Sequence, residues 1–202
     1  MQTFVPYADF AKSHKCLDNR RLVKQNLETT QLLDTILDLP TKSGKPRTGW
    51  TNHPALMMWK PTPGALIDYL AAGIAECDHR NFKSDYCKER LCMYRDLVSD
   101  SELPIWWGDE LVHSSHRYRL LQKGYEELLK GQKNAHLTIA WYREFDWEEM
   151  KHSELFCQEY KWPMDISNGS YELEERVSKD ALINKQLLIN AYGINPYAKV
   201  NA

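Results

Sequence analysis

A chain of 202 residues with 43% hydrophobic and 11% aromatic content carries enough apolar mass for one domain, or one domain with an elaboration, around a packed core. No apolar run approaches the roughly 20 residues that span a bilayer, and the start, Met1-Gln-Thr-Phe-Val-Pro-Tyr7, lacks the basic region and apolar stretch of a signal peptide, so a cytoplasmic protein is expected. A net charge of −2 argues by itself against a nucleic-acid partner, and the five cysteines, odd in number and without a CxxC pair, exclude a disulfide framework and a zinc ribbon.

In chain order, residues 1–16 are too short and mixed to assign. Asp18 to Asp38 reads as a helix, with Asp18 as N-cap and Pro40 beyond its end. On a helical wheel Leu22, Val23, Leu27, Leu33, Ile36 and Leu37 share one arc, the expected core face. Thr41 to Trp50, with Gly44, Pro46 and Gly49, reads as a loop. A short helix is expected near Asn52-His53-Pro54, broken by Pro61 and Pro63. Gly64 to His79 carries Leu66, Ile67, Leu70 and Ile74 on one face. Further helices are expected over Ser84–Val98, from Gly108 towards Leu129, and from Glu172 to Tyr192 up to Gly193. Leu137–Tyr142 suits helix or strand, and Asn168-Gly169-Ser170 reads as a turn. The expected class is all-α: a compact single-domain helical bundle over residues 1–163 with an insertion at about 124–159, and a C-terminal helical elaboration over 164–202.

The charge is segregated. Residues 11–24 hold Lys12, Lys15, Arg20, Arg21 and Lys24 against Asp18 alone, and residues 41–60 hold Lys42, Lys45, Arg47 and Lys60 with no acid. Residues 112–123 hold Arg117, Arg119 and Lys123, again without an acid, whereas residues 144–176 hold ten acids and three bases. One pole can face phosphates while the other faces solvent.

Opposite the apolar arc of the first long helix, Arg21, Lys24, Gln25 and Glu28 are surface neighbours by their spacings of three, four and seven. A carboxylate there can stabilise a developing cation or orient an attacking amine. A solvated helix face with i,i+4 pairs is the commoner use of such a pattern, and spacing alone leaves both readings open. His113-Ser-Ser-His116 puts two histidines on one helix face, but no third ligand is signalled nearby, and no metal is expected.

The run Leu17-Asp18-x-x-Arg21-Leu22-x-Lys24-Gln25-x-x-Glu28 resembles the first helix of the pyrimidine-dimer DNA glycosylase family. So does the block Gly49-Trp50-x-Asn52-His53-Pro54-x-x-x-Met58-Trp59, followed by Leu66, Tyr69, Glu76 and Arg80. Trp107-Gly108-Asp109-Glu110-x-x-His113-x-Ser115-His116-Arg117 and Tyr160-Lys161-Trp162-Pro163 are similar to later family blocks. The phage endonuclease V type of this family is a more remote relative and an all-α protein. The resemblance implies a DNA glycosylase with apurinic/apyrimidinic lyase activity on damaged or modified pyrimidines. In that chemistry an N-terminal amine attacks the sugar C1′, a Schiff base forms, the base leaves and β-elimination nicks the strand. Met1 matches the nucleophile and Glu28 the essential helix-borne glutamate.

The resemblance further implies DNA contacts from Arg20, Arg21, Lys24 and Gln25, with Lys45 and Arg47 on the phosphate backbone. Trp50, Asn52, His53 and Trp59 are candidates beside an extruded base, and His113, His116 and Arg117 for phosphate contact. Trp59 also suits the core, and His53 a helix start. The mechanism calls for no cofactor; the expected partner is damaged or modified duplex DNA, bound by a monomer in a bacterial or phage-infected cell. Two alternatives stand beside this reading: a divergent member acting on a hypermodified base or nucleotide, and a non-catalytic nucleic-acid-binding protein on the same scaffold.

Overall fold

A computed structural model of the chain describes residues 2–41, 43–47, 49–167, 169–176 and 179–192. It is mostly helical: α1 (Phe10–Lys15), α2 (Asn19–Ile36), α3 (Pro54–Met57), α4 (Pro63–His79), α5 (Asp85–Leu97), α6 (Glu110–Leu129), α7 (Ala135–Arg143) and α8 (Lys179–Tyr192). Two 3-10 turns, Trp147–His152 and Glu154–Cys157, and a two-stranded sheet of β1 (Trp162–Ser167) and β2 (Ser170–Glu174) complete it. Among the described residues no helix is long and apolar enough to cross a membrane.

The chain divides into two compact units, one of residues 1–109 with 162–173, the other of residues 110–161 with 174–202. In the first, α4 packs against α1, α2 and α5, and α3 packs against β1. Its centre is aromatic: Trp59 lies 5.1 Å from Trp106 in edge contact and 5.5 Å from Tyr69, centroid to centroid. The Trp106 Nε1–H donates to the Met58 carbonyl at 2.9 Å, so this buried indole keeps its hydrogen bond. In the second unit α6 packs against α7, α8 and both 3-10 turns.

Helix α2 starts where the sequence places it, Asp18 accepting the Arg21 backbone N–H at 3.1 Å as an N-cap. Its buried face is rotated from the expected arc. Leu22 and Leu33 are fully buried, yet Val23 and Leu27 are each 44% exposed, while Gln25, Asn26, Thr29 and Thr30 are buried. The polar residues that go inside find partners there, Gln25 on the Phe4 backbone and Asn26 through Nδ2 on the Cys77 sulfur, and these bonds offset part of the penalty of burying them.

The expected helix from Glu172 begins only at Lys179; Glu172 to Glu174 lie instead in β2, which pairs with β1. Gly169, just before β2, has φ +80°, the left-handed region that glycine enters at no steric cost. Leu137–Tyr142, open between helix and strand, lies in α7.

Candidate active site

The site is built from the chain start and one face of α2. Residues 2–6 belong to no helix or strand, yet Thr3, Phe4 and Val5 are buried. An irregular buried segment must find partners for its backbone outside any regular ladder, and here side chains supply them. The Phe4 N–H donates to Gln25 Oε1 at 3.0 Å, and the Phe4 carbonyl accepts from the Tyr69 hydroxyl at 2.5 Å and from Gln25 Nε2 at 3.4 Å. The Trp59 indole N–H donates to the Thr3 hydroxyl at 2.9 Å.

One step nearer the terminus, the Gln2 N–H donates to Glu28 Oε2 at 2.9 Å. Glu28 sits at the margin of the buried face of α2, its side chain 14% exposed, with Lys24 Nζ 3.7 Å from Oε1. Lys24 itself is 70% exposed, so this pair is a solvent-screened attraction of little energetic weight. Burial holds the Tyr69 phenol well above its ordinary range, with the neighbouring Cys16 adding to the effect, so it remains a hydrogen-bond donor. A groove of about 610 Å³ lies on another side of α2, lined by Val23, Leu27, Phe82 and Cys87 together with Arg20, Lys24 and Lys83; Glu28 and residues 2–4 are not part of its lining.

Residues 1–89 match the family model described as pyrimidine dimer DNA glycosylase. The similarity covers the N-terminal part of the chain, less than half of its length. The match runs from the chain start through α4 into α5 and holds every residue of the arrangement just described; the similar blocks at 107–123 and 160–163 lie outside it. The family is one of enzymes whose substrate is DNA. No curated protein and no solved structure matches the chain.

Within the matched segment the structure corrects several expected DNA contacts. Gln25 is 1% exposed and spends both ends of its amide on Phe4, so it cannot grip a phosphate backbone. Trp59 is fully buried in the aromatic centre and cannot stack on a base; its partner is Thr3. Arg21 is buried against Asp18 at 2.5 Å. Arg47 reaches inward, donating through Nε to the Leu39 carbonyl at 3.0 Å and through Nη2 to Asp34 at 2.6 Å. Asp34, 2% exposed, also binds Arg90 and accepts from the Tyr94 hydroxyl at 2.6 Å. A carboxylate buried that deeply needs such cations.

Other candidates keep their solvent-facing places. Arg20, Lys24, Lys45 and Asn52 are exposed. Trp50 is 55% exposed, with a left-handed φ of +70°, and meets the His53 ring edge-on at 5.1 Å. His53 caps α3, its Nδ1 accepting the Ala55 N–H at 3.1 Å, in line with a helix-start role. Met1 lies outside the described residues.

In the second unit His113 and His116 are both buried, which removes them from phosphate contact. Burial is the main cause that pushes the His116 imidazole down to about 3, with His113 and Arg117 adding to it, so the ring stays neutral. Arg117 pairs with Glu110 on α6. Among the described residues no group of three or more His, Cys, Asp or Glu side chains could hold a metal ion.

Sequence reasoning missed Tyr69 and Thr3 as parts of this arrangement. Tyr69 appears among the family-like residues, but its hydroxyl partner lies 65 positions away, and no local spacing signals that contact.

Proposed function

We propose that this chain is a DNA glycosylase with apurinic/apyrimidinic lyase activity on damaged or modified pyrimidines, working through an N-terminal amine and Glu28. The observation that carries the reading is the hydrogen bond from the Gln2 N–H to Glu28 Oε2 at 2.9 Å, which brings the chain start to a carboxylate of this helix face. An α-amino group with a pKa near 7.7–8.0 is roughly 10–15% neutral at pH 7, against less than about 0.1% for an ordinary lysine. Met1 is one peptide unit, about 3.8 Å from Cα to Cα, beyond Gln2.

In the proposed sequence the amine's lone pair attacks C1′, and the glycosidic bond breaks with its electrons leaving on the base, which takes up a proton; the new C1′ ammonium loses a proton, and the C1′–O4′ bond opens with its electron pair and a proton going to O4′. The resulting iminium carries the positive charge that the Glu28 carboxylate faces. Loss of a C2′ proton then expels the 3′ phosphate by β-elimination, and hydrolysis of the imine returns the amine. Arg20 and Lys24, exposed on the helix that carries Glu28, offer cations to the phosphates. No step calls for a cofactor.

The 2.9 Å contact also favours a second reading. In a chain processed to begin at Gln2, the nitrogen already against Glu28 becomes the amine itself.

Borohydride trapping on abasic-site DNA tests both. The expected result is a covalent adduct, abolished by acetylating the N-terminus and impaired by Glu28→Gln, with peptide mapping locating it on Met1 or Gln2. No adduct, with salt-sensitive DNA binding intact, points instead to a non-catalytic binding protein.

A further inference from the structure

We infer that Tyr69, Gln25 and Trp59 are positioning residues that set the register of the chain start against Glu28; this inference rests on the amine-terminus reading above. Four polar contacts converge on three consecutive residues. Glu28 takes the Gln2 N–H, Trp59 holds the Thr3 hydroxyl, Gln25 holds the Phe4 N–H, and Tyr69 holds the Phe4 carbonyl. They come from α2, from α4 and from the turn between α3 and α4. No regular element contains residues 2–6, so these side chains do the work that a sheet ladder would otherwise do.

The geometry makes the register discrete. Gln25 presents an acceptor and a donor to the two sides of one residue, at 3.0 and 3.4 Å, as a neighbouring strand would. The Thr3 hydroxyl is used twice, accepting from Trp59 and pointing its hydrogen at the Met58 sulfur 4.0 Å away. A shift by one residue would bring Gln2 or Phe4 to the Trp59 indole and leave that buried N–H without its hydroxyl acceptor. The Phe4 nitrogen lies two residues from the nitrogen on Glu28, so a displacement there is passed on to the amine through a short stretch of chain. A misplacement of about 1 Å at a reacting atom can reduce a rate by about 100-fold.

The test is Tyr69→Phe, which removes one hydroxyl and nothing else. With abasic-site DNA at saturation, the borohydride-trapping rate is expected to fall at least tenfold, while Kd for the same DNA stays within about twofold. Tyr94→Phe is the control. It deletes another buried hydroxyl, hydrogen-bonded to the Thr30 carbonyl at 2.9 Å and Asp34 at 2.6 Å, in a cluster that holds none of residues 2–5. It should lower stability and leave the trapping rate unchanged. Trp59→Phe, which keeps an aromatic ring but loses the donor to Thr3, supplies a second variant should Tyr69→Phe fold poorly. Combining the two should cost less than the product of their separate effects, because both act through one segment.

Wild-type-like trapping by Tyr69→Phe, or an equal loss in Tyr94→Phe, would overturn the inference with the amine reading intact. Absence of any adduct on the unaltered protein would overturn both.

Discussion

Gly73 lies where α4 crosses close to α2 and α1, and adding one methyl group there tests how tightly this packing is held. A Cβ built on Gly73 would lie 2.0 Å from Asn26 Oδ1, 2.6 Å from His14 Nε2 and 2.7 Å from His14 Cδ2. Ordinary contact begins near 3.4 Å, so Asn26 must retreat by more than 1 Å. Neither neighbour is a loose side-chain end. Asn26 donates to the Cys77 sulfur at 3.2 Å, while His14 Nδ1 donates to the Phe10 carbonyl at 2.8 Å and its ring lies 4.2 Å from Tyr69.

Overpacking a close-packed core costs about 1–3 kcal/mol, and two anchored neighbours put Gly73→Ala at or above the top of that range. Replacing glycine by alanine inside a helix gains about 1 kcal/mol of propensity. The net expectation is a loss of about 2 kcal/mol, or roughly 4–8 °C in melting temperature for a chain of this size. Urea unfolding followed by circular dichroism measures it directly. A variant as stable as the parent, or more stable, would mean that α4 can slide off α2 at little cost, and the close approach would carry no weight.

Three further outcomes follow from the same structure. Burial is the main cause that pushes His14 down to about 4 and His116 down to about 3, while an unfolded histidine titrates near 6.5. The unfolded chain therefore takes up protons first, and stability present above pH 6.5 should be lost as pH falls towards 4, by about 3 kcal/mol from His14 alone; a flat unfolding free energy from pH 7 to 4.5 would refute the burial of both rings. Asp34→Ala leaves the Arg47 and Arg90 guanidinium groups without the carboxylate they share, and a loss of about 3–5 kcal/mol in urea unfolding is expected; a change below about 1 kcal/mol would count against that cluster. Lys24→Ala alters an exposed side chain and should shift stability by less than about 0.5 kcal/mol. If Lys24 contacts a phosphate, the same substitution lowers the salt-dependence slope of DNA binding by about 0.9, and an unchanged slope removes it from the interface.

Local chemistry made much of this protein readable in one dimension. The Asp18 cap, the prolines that punctuate α3 and α4, and the apolar spacing of α4 are short-range signals, and helices stand where they point. Glu28 too was legible, because i,i+3 and i,i+4 spacing places it beside Lys24 whatever the rest of the chain does. The strand pair was less so: the helical look of the residues after Glu172 concealed the strand that precedes α8.

Long-range contacts decided the remainder. Nothing local distinguishes Gln25, which reads as a surface residue until Phe4 comes to lie against it from 21 positions away. Arg47 reads as a phosphate ligand until Asp34 turns it inward, and Trp59, which suits either a base-stacking place or the core, is settled in the core once the fold encloses it. Polar side chains favour either solvent or a satisfied interior, and the difference in free energy is set by whether a partner is present. Composition and periodicity determine that α2 is a helix with two faces. Only the packing of the chain start, α4 and α5 around it decides which face is buried, and so brings the first residues of the chain to Glu28.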